Sequence, residues 1–306
     1  MKPKRFTRRS IQDARASISF LVPSLAGVLL LFVVPFVAVI YYAVIDNPIG
    51  ANFVGMDNFI RVWNNLAFRD ATRHTIEFTL VSVPLVVVIS LLLAVGLEKR
   101  IPGQSLLRTF FLSPLVVPVA SIVLIWQVLF HQNGALNEMI ASFGQFTGWF
   151  TYERAGGGWT DWFRSEHNQL PIIILFVWRN AGYSMILFMA ALASVPRELI
   201  EGAQIDGASA PYIFFSIKMR FLSPTVVFVV ILSIINSFKI FREIYMLTGA
   251  YPVGSLYMLQ HYMNNMFNNL DYQSLSAAAV IMFVAISLII LGIFFVEGRY
   301  GKDIEG

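Results

Sequence analysis

Apolar residues in this chain run in long unbroken stretches and lack the two-residue alternation of a half-buried strand. Six stretches, at residues 18–44, 75–97, 106–130, 170–195, 222–247 and 274–296, each approach or exceed the roughly 20 residues a helix needs to cross a bilayer. Barrel strands are short and alternate, so these runs predict helices. The fold class is all-α integral membrane, a six-transmembrane-helix bundle. The predicted organisation is a basic segment at 1–17, a six-span domain at 18–298 and a tail at 299–306, with long connections at 131–169 and 196–221.

Composition fits this picture. Of 306 residues, 57% are hydrophobic and 13% charged, more apolar surface than one water-soluble core buries. The net charge of +4 does not point to nucleic acid, because the bases are dispersed between apolar runs with no interleaved aromatic stripe. Their distribution reports topology instead, since positive charge is retained on the cytoplasmic side. Lys2, Lys4, Arg5, Arg8, Arg9, Arg15, Lys99, Arg100, Arg108, Arg197, Lys218, Arg220, Arg299 and Lys302 fall in one set of segments. The opposite set holds only Arg61, Arg69, Arg73, Arg154 and Arg164, spread over longer connections. Both termini and the 196–221 loop are therefore expected in the cytoplasm and the 131–169 loop outside. The first stretch is too long for a signal h-region and lacks a small-residue cleavage site, so it is expected to be a retained span.

The chemistry of catalysis is not visible. There is no cysteine, hence no disulfide, thiolate metal site or Cys nucleophile. His74, His131, His167 and His261 are scattered without metal-ligand spacing, and no phosphate-cradling GxxxxGK[ST] loop occurs. No catalytic residue, metal ligand or cofactor is assigned to this chain. The 131–169 loop carries Gly156, Gly157 and Gly158 beside Trp149, Phe150, Trp159, Trp162 and Phe163. Such aromatics suit either an anchor at the membrane interface or contact with an external protein.

The 196–221 connection is dense in structural signals. Ser194 is placed to N-cap a short helix with Pro196 in its first turn and Glu198 near its N-terminus. Asp206-Gly207 interrupts that helix, and Ser209 with Pro211 starts a second. The predicted product is a helical elbow, suited to receiving force from a partner or to lying on lipid headgroups.

Glu201-Gly202-Ala203, Asp206-Gly207-Ala208, Phe214, Ile217 and Met219 resemble the Glu-Ala-Ala coupling motif of ATP-binding-cassette (ABC) importer permeases. The chain is closest to the six-span carbohydrate-importer branch of that family, of the type I importer kind. Two positions depart from the motif: Gly202 replaces an alanine, and Arg220 stands where proline is usual, with Pro224 four residues later. Supporting pieces are Arg108 to Phe111 with Pro114 and Pro118, Trp126 through Asn137, Trp178, Phe238 to Pro252, and Ser276 to Ala279. The resemblance implies that Glu201, Gly202, Ala203, Asp206, Gly207, Ala208, Phe214 and Ile217 dock on a separate ATPase. That ATPase would hold the ATP and Mg this chain lacks. It further implies a second homologous permease, two ATPase subunits, an extracytoplasmic solute-binding protein, a sugar substrate and a bacterial inner membrane.

Polar residues inside spans are costly and mark a cavity or a helix contact. Phe176, Asn180 and Tyr183 share one face of span four, with Arg179 beside them, and Ser233, Asn236 and Ser237 follow helical spacing in span five. Hydroxyl-rich, ring-faced sugars suit such a lining, and helix-to-helix glue suits it equally. Lys239 and Arg242 read as residues that snorkel to the external interface. Arg179 leaves open an anionic cargo such as glycerol phosphate. An ion-coupled secondary transporter would show carboxylates deep in the spans, whereas Glu77 and Glu243 lie near span ends and no repeat is evident.

Overall fold

The computed structural model describes residues 18, 20–98, 102–147 and 161–300. The basic positions 2–15, Lys99, Arg100, Arg154 and Lys302, and the loop residues Trp149, Phe150, Gly156, Gly157, Gly158 and Trp159, lie outside them. The helices are α1 (Phe20–Ala43), α2 (Asp57–Asn64), α3 (Leu66–Gly96), α4 (Gln104–Val116), α5 (Val119–Phe130), α6 (Ala135–Thr147) and α7 (Gln169–Ala193). They continue with α8 (Arg197–Ile205), α9 (Ala210–Thr248), α10 (Leu259–Asn268) and α11 (Tyr272–Tyr300). Among the described residues the β-structure is one isolated bridge, Ile45 to Phe53. Among the described residues six helical segments are long and apolar enough to cross a membrane, one of them Val119–Gly144, which takes in α5 and most of α6.

The described residues up to Asn64, with Met266–Val284, form one compact unit. Within it, α1 exposes large apolar side chains all round, Phe20 by 85% and Phe32 by 70%. Such a surface fits hydrocarbon, where every helical N–H and C=O is already paired. A π-helical turn at Leu29–Val33 precedes Pro35, where the missing proline N–H breaks the i→i−4 ladder. Buried Asn58 closes the connection after α1 by donating to the carbonyls of Ala43 at 3.0 Å and Ile45 at 2.8 Å. Phe36 meets Phe283 with ring centroids 4.5 Å apart.

The second unit, Asn65–Asn265 with the chain from Ala285 onward, holds the packed core. Helices α3 and α7 run against each other, α4 packs on α7, and α9 contacts both α3 and α7. One apolar cluster joins Phe78, Ile122, Trp126, Phe130, Ile172, Leu175 and Phe176. A second joins Ala94, Met185, Phe188, Leu192, Leu222 and Val229. The α4–α7 approach depends on Gly182, where an added Cβ would fall 1.8 Å from the Phe111 carbonyl oxygen. Only a residue with no side chain lets the two backbones come so near.

Three features differ from the sequence expectation. The predicted span at 106–130 is broken: Val117 is extended because the following Pro118 disfavours helical geometry before it, so α4 ends and α5 begins. The second elbow helix is not separate, since Ala210–Tyr212 passes through a π-helical stretch, Ile213–Lys218, directly into Met219–Lys239. Arg220, the non-proline position, sits in this uninterrupted helix. Finally, Trp162 and Phe163 are half-buried against the core beside Phe130, and Trp162 Nε1 donates to Asn137 Oδ1 at 2.9 Å. These two aromatics pack onto the protein itself.

Candidate functional site: elbow and intramembrane cleft

Two places concentrate unusual side chains, the elbow between α7 and α9 and a cleft between the same helices further along. The elbow starts differently from its predicted cap. Ser194 Oγ donates to the Ala191 carbonyl at 2.7 Å, closing α7, and Pro196 occupies the N-cap position of α8. The end of α8 is as expected. Gly207 takes φ +82°, its N–H donates to the Gln204 carbonyl at 3.1 Å, and Ala208 N–H donates to the Ala203 carbonyl at 2.9 Å. This paired closure satisfies carbonyls that the helix end would otherwise leave orphaned. Ser209 then stands extended at the N-cap of α9, with Pro211 in the first turn.

The elbow keeps few apolar groups inside. No residue of α8 is buried. Leu199, Ile205, Tyr212 and Phe215 are exposed, Ile205 by 86%. Glu201, Gly202, Asp206 and Gly207 are exposed as well, while Ala203, Ala208, Phe214 and Ile217 are half-buried. The Phe214 and Phe215 rings meet edge to face at 5.1 Å. A Cβ on Gly202 would meet no atom within 4 Å, so the departure from alanine leaves the helix surface unobstructed. Lys218 Nζ grips both carboxylate oxygens of Glu98, at 2.5 and 2.7 Å, tying α9 to the end of α3. Beside this tie, a cavity of about 360 Å³ opens between Glu98, Arg108, Arg197 and Ile200.

The cleft, of about 180 Å³, is lined by Leu115 of α4, by Phe176, Arg179 and Asn180 of α7, and by Asn236, Lys239, Ile240, Arg242 and Glu243 of α9. On α7 the spacing is i, i+3, i+4; on α9 positions 236, 239, 240 and 243 likewise share a face. Asn180 Nδ2 donates to the Phe176 carbonyl at 2.8 Å, and Asn236 Nδ2 donates to Asn180 Oδ1 at 3.0 Å, which bridges α7 and α9. Arg179 and Glu243 form a hydrogen-bonded ion pair across the same gap. Glu243 is only 3% exposed, and its Oε2 is buried without a hydrogen-bond partner.

Of the seven residues predicted to line a path, Phe176, Arg179, Asn180 and Asn236 come together here. The other three point elsewhere. Tyr183 is exposed at 41%, and Ser233 is buried outside the cleft lining. Ser237 donates to the Ile234 carbonyl at 2.7 Å and lies 2.9 Å from Thr79 Oγ1 on α3, a helix-to-helix contact. Sequence reasoning missed Glu243, Lys239 and Arg242 as lining, treating them as span-end residues. The placing of Lys239 and Glu243 at i+3 and i+7 from Asn236 was the available signal, while Arg242, at i+6, lies off that register. Among the described residues no His, Asp and Glu gather in a group of three.

A family model described as binding-protein-dependent transport system inner membrane component matches residues 75–298. The chain belongs to this family. The match includes the elbow and the cleft, and membership makes the chain a membrane permease subunit of an ABC importer, not an enzyme. The trehalose/maltose transport system permease protein MalF of Thermococcus litoralis is 27% identical over 300 residues, covering 95% of this chain and 96% of that one. The sn-glycerol-3-phosphate transport system permease protein UgpA of Rhizobium meliloti is 29% identical over 283 residues, covering 90% and 93%. The fold matches a permease chain in the crystal structure of a bacterial alginate ABC transporter in complex with an alginate pentasaccharide-bound periplasmic protein. That match has a TM-score of 0.79 at 17% identity and covers 96% of this chain and 98% of that one.

Proposed function

We propose that this permease imports a sugar or oligosaccharide across a bacterial inner membrane, with both termini and the 196–221 elbow in the cytoplasm. A second, homologous permease completes the pore, and a solute-binding protein delivers cargo from outside. Two ATPase subunits drive transport, one of them docking on this elbow through Glu201, Gly202, Ala203, Asp206, Gly207, Ala208, Phe214 and Ile217. The observation that carries this reading is the uncovered apolar surface of Leu199, Ile205, Tyr212 and Phe215 around a turn locked by Gly207. Exposed apolar side chains on either side of a sharp helical turn are what a partner's groove covers. The names of the relatives support sugar as cargo, and one of them, UgpA, supports glycerol phosphate as the second reading.

Affinity purification of the tagged chain from its native host in detergent tests the assembly. An ATPase subunit and a second permease should co-purify, and Ile205→Asp with Phe215→Asp should release the ATPase while retaining the permease. Recovery of the wild-type chain without any ATPase would overturn the reading.

A further inference from the structure

We infer that the cleft between α7 and α9 is built for a polyhydroxylated solute that carries an anionic group, with Lys239 and Arg242 as its charge receptors. This rests on the import function proposed above and takes the cleft as part of the import path. The lining holds three cations, Arg179, Lys239 and Arg242, against one anion, Glu243. Arg179 is spoken for, because its guanidinium is paired with Glu243. The charge excess therefore resides on Lys239 and Arg242, both exposed and neither in an ion pair among the described residues.

The remaining polar groups suit hydroxyls. Glu243 Oε2 is a buried acceptor without a donor, in a side chain 96% shielded from solvent. An acceptor in that state is costly to leave unmatched, and a solute hydroxyl supplies the missing donor. Asn180 and Asn236, held to each other at 3.0 Å, offer further amide groups at the same wall. Phe176 supplies an aromatic element to the lining. A neutral sugar would meet the acceptor alone; a carboxylated or phosphorylated one would also pair with the two cations.

The test uses the complete importer in nanodiscs without its binding protein, so that only the permease selects. Equilibrium binding of a glucuronate-containing disaccharide, glycerol 3-phosphate and a neutral glucose disaccharide is compared. The anionic solutes should bind about tenfold more tightly than the neutral one, the scale of one or two charge contacts at a wet protein surface. The two anionic probes tell a carboxylate from a phosphate. Lys239→Gln with Arg242→Gln should erase the preference, and Lys239→Arg with Arg242→Lys should restore it.

Equal binding of the neutral disaccharide, lost in Asn236→Leu, would overturn the anionic assignment and leave the cleft as the path. Binding of none of the three probes would overturn the path as well. If phosphatidylglycerol in the nanodisc blocks the anionic probes where phosphatidylcholine does not, a lipid headgroup is the occupant and the inference falls.

Discussion

The elbow and the cleft share the same two helices, yet they treat unsatisfied groups in opposite ways. At the elbow the end of α8 is closed, with Gly207 and Ala208 returning their N–H groups to its carbonyls, while Ile205 and Phe215 are left uncovered. In the cleft Phe176 and Ile240 are covered by the core, with Leu115 alone of the apolar lining exposed, while a carboxylate oxygen of Glu243 is left without a donor. A rigid backbone with bare apolar side chains suits a permanent macromolecular contact. A wall backed by the core, with one polar atom lacking a donor, suits a small solute that comes and goes. On the proposed function, the difference separates the site that would receive force from the site that would handle cargo.

The largest expected effect is in the cleft. Arg179→Leu strands Glu243 as an unpaired buried charge and should cost roughly 3–5 kcal/mol, read as a lowered thermal midpoint of the purified complex. The double variant Arg179→Leu with Glu243→Leu should recover most of that loss, because the stranded charge is gone; no recovery would mean the pair is not the wall's main tie. Next comes Gly182→Ala, whose Cβ cannot fit against Phe111, with an expected cost of about 1–3 kcal/mol as α4 is pushed off α7.

A pH effect follows at the far end of α9. His261, fully buried on α10, lies 4.7 Å from the Phe241 ring, and burial lowers its pKa from the ordinary 6.5 to about 4. The unfolded chain therefore takes up this proton first. The stability due to neutral His261 is fully present above pH 6.5 and should be lost as pH falls from 6.5 toward 4. His261→Asn should flatten thermal stability measured across that window. The last stability changes belong to the elbow. Gly207→Pro should cost about 1 kcal/mol or more, confined to the elbow, and abolish uptake, because proline cannot adopt the φ of +82° that sets the turn and removes the N–H given to the Gln204 carbonyl. Gly202→Ala should stabilise α8 by about 0.5–1 kcal/mol with transport intact.

What could be read from the residues divides along physical lines. Spans and elbow were legible because hydropathy, glycine and proline act locally: the 170–195 stretch became Gln169–Ala193, and Asp206-Gly207 ended α8. The partnership of Arg179 with Glu243 was not, since a contact 64 positions apart depends on how α7 and α9 pack. Gly182 carried no local signal, as its role is the nearness of Phe111. Pro118 carried one, and the long apolar run around it masked the break. Ser194 misled because a serine can as readily close one helix as open the next.

The passage of Ala210–Tyr212 without a break into the fifth span makes the elbow and one wall of the cleft a single lever. Pro224 interrupts its hydrogen-bond ladder near the elbow end, and Asn236 lies twelve residues beyond, about 18 Å along the axis. Pivoting there by about 10° would sweep Asn236 through about 3 Å. That travel is comparable to the 3.0 Å span of the Asn236–Asn180 hydrogen bond, so a small rocking of the rod would be enough to unlatch the two helices.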